Sequence, residues 1–336
     1  MSDAELPRVV VLSTGGTIAG RGNSTLNFAE YKAGSLKGED LVEAVPEIRQ
    51  FARVNVEQIA NIGSSNMTMA VWRTLADRIN ALFAEDAGVA GVVITHGTST
   101  IEETAYFLNL TVRHDRPVVL VGSQRPATAL GADGPLNLLS AVRTAASLDS
   151  RGRGVLVVLN DEINAARDVT KSNTYRVETF RSGELGFLGY VDPDKVAYYR
   201  SPVKRHTMHS EFDLRAIPAL PIVEIVYSSV ESNASLLVEA LQAAGARGIV
   251  FAATGAGSLS DRERETVRKS VAESRGTVFV RSTRVANGRV LARAEFDRLG
   301  IVAADNLSPQ KARILLMLAL ATTSDVATIR RMFNEY

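Results

Sequence analysis

The chain has 336 residues, 46% of them hydrophobic and 22% charged, a formal charge of +1 and no cysteine. That length has room for two ordinary domains with a large core, and the missing cysteine excludes thiol catalysis, disulfides and thiolate metal sites. Basic residues are interspersed, leaving no nucleic-acid or membrane footprint, and no apolar run approaches the roughly 18 residues of a membrane-spanning helix. Residues 1–7 are short and acidic, unlike a basic and then apolar signal peptide. A cytoplasmic location is expected, or a periplasmic one if a signal peptide has been removed.

Val9-Val10-Val11-Leu12 reads as a buried strand, the first of a parallel sheet, and runs directly into Ser13-Thr14-Gly15-Gly16-Thr17. Ligands of such sheets sit beyond the carboxyl ends of the strands. The two glycines let backbone N–H groups approach a ligand and leave Thr17 without bulky neighbours. Val92-Val93-Ile94-Thr95-His96-Gly97-Thr98 repeats the design, so a paired-hydroxyl site is expected where the two strands end. The glycine-rich segment from Gly20 to Gly34 is not a phosphate loop, because Arg21-Gly22 stands where Lys-Ser or Lys-Thr is required. It reads as a lid bringing Tyr31 over the first strand's end, with a simple packing role for Tyr31 left open.

Next comes a helix with Val71, Leu75, Ile79 and Leu82 on one face, capped by Ser65 or Asn66. Its start is a carboxylate site or only a cap. Ser99 or Thr100 opens another helix through a capping box with Glu102 or Glu103. Strands at 118–121 and 155–159 around a helix at 135–148 complete an α/β alternation. His114, His206 and His209 are expected at the surface, and His206-x-x-His209 alone does not make a metal site. The pattern decays between Val191 and Pro221, where Asp192-Pro193 and Ser201-Pro202 mark a linker. A second set follows: strand 222–227, helix 234–244, strand 248–253, a turn at Thr254-Gly255-Ala256-Gly257, a charged helix from Ser260 and strand 277–281. An apolar helix opened by Ser308-Pro309 and an amphipathic one at 325–333 end the chain. The fold class is two α/β domains: a larger N-terminal parallel-sheet domain (1–200), a linker (201–220) and a smaller C-terminal α/β domain (221–336).

A threonine hydroxyl needs a base to act as nucleophile, and no Ser-His-Asp arrangement is apparent. Lys171 is the best candidate, since burial would lower its pKa and let it accept a proton from Thr98 or a water. An ordinary surface lysine is the alternative.

Val11-Leu12-Ser13-Thr14-Gly15-Gly16-Thr17-Ile18-Ala19-Gly20 resembles the first signature of bacterial-type L-asparaginases and glutaminase-asparaginases. Ile94-Thr95-His96-Gly97-Thr98-Ser99-Thr100-Ile101-Glu102-Glu103-Thr104 resembles the second. The similarity extends through Asp168-Val169-Thr170-Lys171, Arg281-Ser282-Thr283-Arg284-Val285 and Asn306-Leu307-Ser308-Pro309-Gln310-Lys311, covering nearly the whole chain. It implies a two-domain amidohydrolase of small-molecule amides, without metal or other cofactor, usually a homotetramer whose sites are shared between subunits. It also implies Thr17 as the nucleophile of an acyl-enzyme with Tyr31 as its partner, and Thr98 and Lys171 as a second hydroxyl–base pair. By the same resemblance Ser64 binds the substrate α-carboxylate, Glu295 reaches in from a neighbouring subunit, and Gly16, Gly97 and Thr98 surround the oxyanion.

Three positions depart from the family pattern. Ser99 stands where the family has an aspartate that holds the counterpart of Lys171 and the substrate α-ammonium. Ser65 replaces a glutamine or acid, and Ala256 an asparagine frequent among such relatives. The expected activity is ammonia release from the side-chain amide of L-asparagine or a related ω-amide, with weakened α-ammonium recognition. The alternative is a catalytically weakened protein that binds or senses amino acids or amides.

Overall fold

In the computed structural model residues 6–336 are described; the localisation reading of residues 1–7 falls mostly outside them. The β-branched run after Arg8 forms strand β1 (Arg8–Gly15), buried along all but its first residue. A glycine-rich hairpin follows, β2 (Arg21–Gly22) pairing antiparallel with β3 (Tyr31–Lys32). Then come α1 (Gly38–Glu43), β4 (Arg53–Ile62), α2 (Met69–Glu85), β5 (Val89–Thr95), α3 (Ile101–Thr111), β6 (Val118–Val121), α4 (Gly134–Ala146) and β7 (Val155–Leu159). Strands β8 (Glu162–Ala165), β11 (Gly189–Val191) and β12 (Val196–Tyr198) turn back along the far edge, while β9 (Thr170–Lys171) and β10 (Phe180–Arg181) pair separately.

The eight-stranded sheet has the order β12-β11-β8-β7-β6-β5-β1-β4. Strands β7, β6, β5, β1 and β4 run parallel, and β8, β11 and β12 join antiparallel. The inner strands read as continuous apolar runs because helices cover both faces. On one face Leu138, Ala141, Val142 and Ala145 of α4 pack with Val9, Val11, Val93 and Val119. Deleting Leu138 to alanine there would cost about 2–5 kcal/mol, the ordinary price of an aliphatic cavity. In this parallel core all carboxyl ends lie along one edge, so β1 and β5, hydrogen-bonded neighbours with Ser13 opposite Thr95, finish side by side.

The chain divides after Ser210 into two compact units. The second carries the parallel sheet β13 (Val223–Tyr227), β14 (Gly248–Ala253), β15 (Val278–Thr283) and β16 (Val302–Ala303), in that order. Its helices are α5 (Ala234–Ala243), α6 (Asp261–Ala272), α7 (Ala294–Asp297), α8 (Pro309–Thr322) and α9 (Val326–Glu335). The architecture is mixed α/β, with a large, mostly parallel sheet in the first unit and a four-stranded parallel sheet in the second.

Several local expectations change. The segment from Val191 to Pro221 is more ordered than its prolines suggest: β12 extends the large sheet, and Phe212, Leu214 and Ile217 are buried in the second unit. Thr68, rather than Ser65 or Asn66, caps α2, accepting from the Val71 amide, because residues 64–66 form their own 3-10 turn. Thr100 occupies the cap position of α3 but makes no capping box, its hydroxyl donating instead to the Ser64 carbonyl at 2.8 Å. His206 is buried, not superficial, with Nδ1 against the Thr207 hydroxyl. Ser260, where the charged helix is expected to begin, caps α6 in a capping box, its hydroxyl accepting from the Glu263 amide and the Glu263 carboxylate accepting from the Ser260 amide.

Candidate active site

At the end of β1 the backbone leaves the sheet register between Ser13 and Gly15. Gly16 takes φ +83°, ψ −170°, a conformation essentially confined to glycine. Its amide donates to the Ile62 carbonyl at 2.9 Å, and a side chain on it would meet the Gly97 amide nitrogen at 2.3 Å. The two strand ends thus touch backbone to backbone through Gly16 and Gly97. Thr17 and Thr98 are the next residues in each strand's continuation, both buried.

Each threonine hydroxyl has a partner from a different element. Thr17 Oγ1 lies 2.7 Å from the Tyr31 hydroxyl, where either can donate. Tyr31 reaches it from the hairpin because Gly20 has no side chain; a Cβ there would stand 2.7 Å from the ring. The hairpin is tied down by the Gly34 amide to the Gly16 carbonyl (3.1 Å), the Ala127 amide to the Gly20 carbonyl (3.0 Å) and the Gly22 amide to the Thr128 hydroxyl (2.9 Å). Thr98 Oγ1 lies 2.8 Å from Lys171 Nζ, carried by the two-residue strand β9. Burial lowers the Lys171 pKa, favouring the neutral amine.

Ser64 is buried in the 3-10 turn after β4. Its Oγ accepts from the Ser99 amide at 3.1 Å, which leaves its own O–H to donate elsewhere. Ser65 and Ser99 are exposed at the same strand ends, and the Ser99 position bears no carboxylate. Thr17, Tyr31, Thr98, Lys171, Gly16, Gly97, Ser64 and Ser99 therefore assemble within the first unit. Glu295 belongs to the second, exposed on α7 with its carboxylate 3.9 Å from Arg293. That arm is anchored by buried Arg281, whose guanidinium donates to the Leu291 and Gly257 carbonyls and covers the Phe296 ring.

Two supports escaped the sequence reading. His96 is fully buried; its Nδ1 lies 2.7 Å from the Gly97 carbonyl and its Nε2 2.9 Å from the Thr104 hydroxyl, which Trp72 Nε1 meets at 2.7 Å. Glu102, expected as a capping residue, turns instead to Thr170 and Lys171. The signal for the first was a histidine inside an otherwise apolar and hydroxylic run; no spacing rule pointed to the second. Among the described residues no group of three or more histidine, aspartate or glutamate side chains could hold a metal ion, and no helix is long and apolar enough to cross a membrane.

The family model described as "Asparaginase, N-terminal" matches residues 8–204, and "Glutaminase/Asparaginase C-terminal domain" matches residues 222–333. This chain belongs to the asparaginase family. It is 48% identical to L-asparaginase 2 of Bacillus subtilis, over 99% of this chain and 87% of that protein. It is also 48% identical to L-asparaginase 2 of Escherichia coli, over 98% and 94%. A glutaminase-asparaginase of Pseudomonas fluorescens biotype A shares 47%, over 99% and 91%. The crystal structure of a probable cytoplasmic L-asparaginase from Campylobacter jejuni matches with a TM-score of 0.95 at 45% identity, covering 98% of this chain and 100% of that one. Like those asparaginases, this family member is a hydrolase acting on amides.

Proposed function

We propose that this asparaginase-family protein releases ammonia from ω-amides through an acyl-enzyme on Thr17, and that it favours substrates whose α-amino group is absent or masked. The observation that carries the reading is the double pairing at adjacent strand ends, Thr17 with Tyr31 and Thr98 with Lys171. Ligand binding alone requires neither pair. Tyr31 would relay the proton as Thr17 attacks the amide carbon, its oxygen taking the Thr17 proton while its own moves on to the leaving nitrogen, and backbone N–H groups near Gly16 and Gly97, with the Thr98 hydroxyl, would stabilise the oxyanion. In the second step Thr98 would take a proton from the attacking water while passing its own to neutral Lys171, and the resulting ammonium would return a proton through Thr98 to Thr17 Oγ1 as the acid leaves. Ser64, with its O–H free to donate, suits an α-carboxylate.

Selectivity follows from what surrounds that carboxylate. Ser99 and Ser65 are neutral, and an ammonium brought in without its counter-charge loses about 2–5 kcal/mol, roughly a 30- to several-thousand-fold penalty, of which Glu295 from a neighbouring subunit would recover only a part. Dicarboxylic monoamides and N-substituted asparagines avoid that cost. We further propose a cytoplasmic homotetramer, in which Glu295 of a neighbouring subunit completes the pocket; size-exclusion chromatography with light scattering tests the assembly.

The direct test compares ammonia release from L-asparagine, L-glutamine, succinamic acid and N-acetyl-L-asparagine, with Thr17→Ala and Ser99→Asp beside the parent. The expected result is preference for the last two substrates, a shift toward L-asparagine in Ser99→Asp, and loss of turnover in Thr17→Ala. Ordinary efficiency on L-asparagine in the parent would sink the selectivity reading, and full activity in Thr17→Ala the nucleophile assignment.

A further inference from the structure

Glu102 is buried, 7% exposed, in the first turn of α3, three residues beyond Ser99. Its Oε1 accepts from the Thr170 hydroxyl at 3.1 Å and from the Lys171 amide at 3.4 Å. Both donors belong to β9, a strand of only two residues whose recorded ladder partners are the two residues of β10. So short a ladder fixes little by itself, since few hydrogen bonds oppose the backbone entropy of the segment. A carboxylate gripping the backbone at Lys171 and the side chain just before it determines where the lysine stem begins. The far end of that stem is Nζ, 2.8 Å from Thr98 Oγ1.

The same geometry joins the two halves of the pair through one helix. Thr98 lies just before α3 and Glu102 lies in it, so the carboxylate is carried by the segment that also carries the hydroxyl Lys171 must reach. Movement of that segment takes both together. An acid at position 99 could have oriented the amine by charge, but Ser99 supplies none, and burial is the cause of the lowered Lys171 pKa.

We infer that Glu102 is the positioning residue of the Thr98–Lys171 pair, setting the amine by holding the Thr170 hydroxyl and the Lys171 amide rather than by touching the amine. The inference rests on the proposed role of Lys171, and its first readout is therefore structural. In a crystal structure of Glu102→Ala the Lys171 Nζ contact with Thr98 is expected to be lost, whatever Lys171 does in turnover. In kinetics the same variant loses about 10- to 100-fold in kcat, a part of the roughly 10²–10⁴ that a positioned base supplies. KM is expected to stay within about threefold, because ground-state binding is untouched. Glu102→Gln, which keeps an acceptor oxygen, recovers most of the lost kcat. Thr170→Val, which removes one donor, shows a smaller loss in the same direction and serves if Glu102→Ala does not fold.

Lys171→Ala separates the two ideas. If it retains activity, the catalytic reading of Lys171 fails while the structural readout still decides the role of Glu102. An intact Nζ–Thr98 contact in Glu102→Ala, or in Thr170→Val should only that variant fold, overturns the positioning role. So does a Glu102→Gln variant no better than Glu102→Ala.

Discussion

Lys171 Nζ stands 2.8 Å from Thr98 Oγ1, and the lysine titrates below its ordinary 10.5 because it is desolvated. If the neutral amine is the acting form, kcat/KM rises with pH through a value below the usual lysine range. Ser99→Asp adds a carboxylate beside Thr98, which favours the ammonium and moves the limb upward. A pH profile of kcat/KM for parent and variant checks both parts. A limb that does not move on adding the carboxylate would separate this ionisation from the Thr98–Lys171 pair.

The buried histidine makes a second pH prediction, on stability. A carbonyl only accepts, so His96 Nδ1 carries its proton toward Gly97, and Nε2 accepts from Thr104. Protonating Nε2 would set two donors against each other in a site without solvent, and burial depresses the pKa from 6.5 to about 4. The unfolded chain therefore binds the proton first as pH falls. Stability from neutral His96 is fully present above about pH 6.5 and is lost progressively down to about pH 4, amounting to about 3 kcal/mol. Urea unfolding across that window should show a steep acid decline in the parent and a flatter one in His96→Gln.

Gln124 supplies a test on packing. It follows β6 in the segment where Gly122 abuts Thr98, and its side-chain nitrogen is buried with no hydrogen-bond partner among the described residues. An unsatisfied buried donor costs about 1–3 kcal/mol. Gln124→Met keeps the volume and removes the donor, so the denaturation midpoint of the first unit is expected to rise, by about 1 kcal/mol of stability. A lower midpoint would show that the amide has a stabilising partner.

Much of this was legible from residue order. The apolar runs of β1, β5, β6 and β7 announce a parallel core, since only strands covered on both faces dispense with polar alternation. The glycines between strand end and threonine announce a close backbone approach. What stayed hidden depends on distant elements meeting. A capping box and a Glu102–Lys171 contact look identical in sequence, because Ser99-x-x-Glu102 satisfies the local rule and only tertiary structure diverts the carboxylate 69 positions along the chain. The Ser65 cap failed similarly: a 3-10 turn at 64–66 consumed the residues that would have capped α2. His206 was misjudged because a polar neighbourhood in sequence says nothing of what folds over it.

The two strand ends meet through Gly16 and Gly97. A methyl group on Gly16 would stand 2.3 Å from the Gly97 nitrogen and 2.4 Å from its Cα, both backbone atoms that cannot swing aside, and φ there is +83°. A methyl group on Gly97 meets chiefly the Ser64 side chain, at 2.8 Å from Oγ and 2.9 Å from Cβ. The two substitutions therefore fail differently. Gly16→Ala combines a forbidden dihedral, about 1–3 kcal/mol by itself, with a backbone clash that pushes β1's end from β5's. Turnover should fall by orders of magnitude together with stability. Gly97→Ala displaces the serine while β1 keeps its path, so KM for substrates bearing an α-carboxylate should rise more than kcat falls. Steady-state kinetics on succinamic acid, with thermal unfolding of both variants, distinguishes the two. Equal losses in kcat and stability for the two alanines would mean that the glycines act only as a shared turn and that Ser64 does not hold the carboxylate.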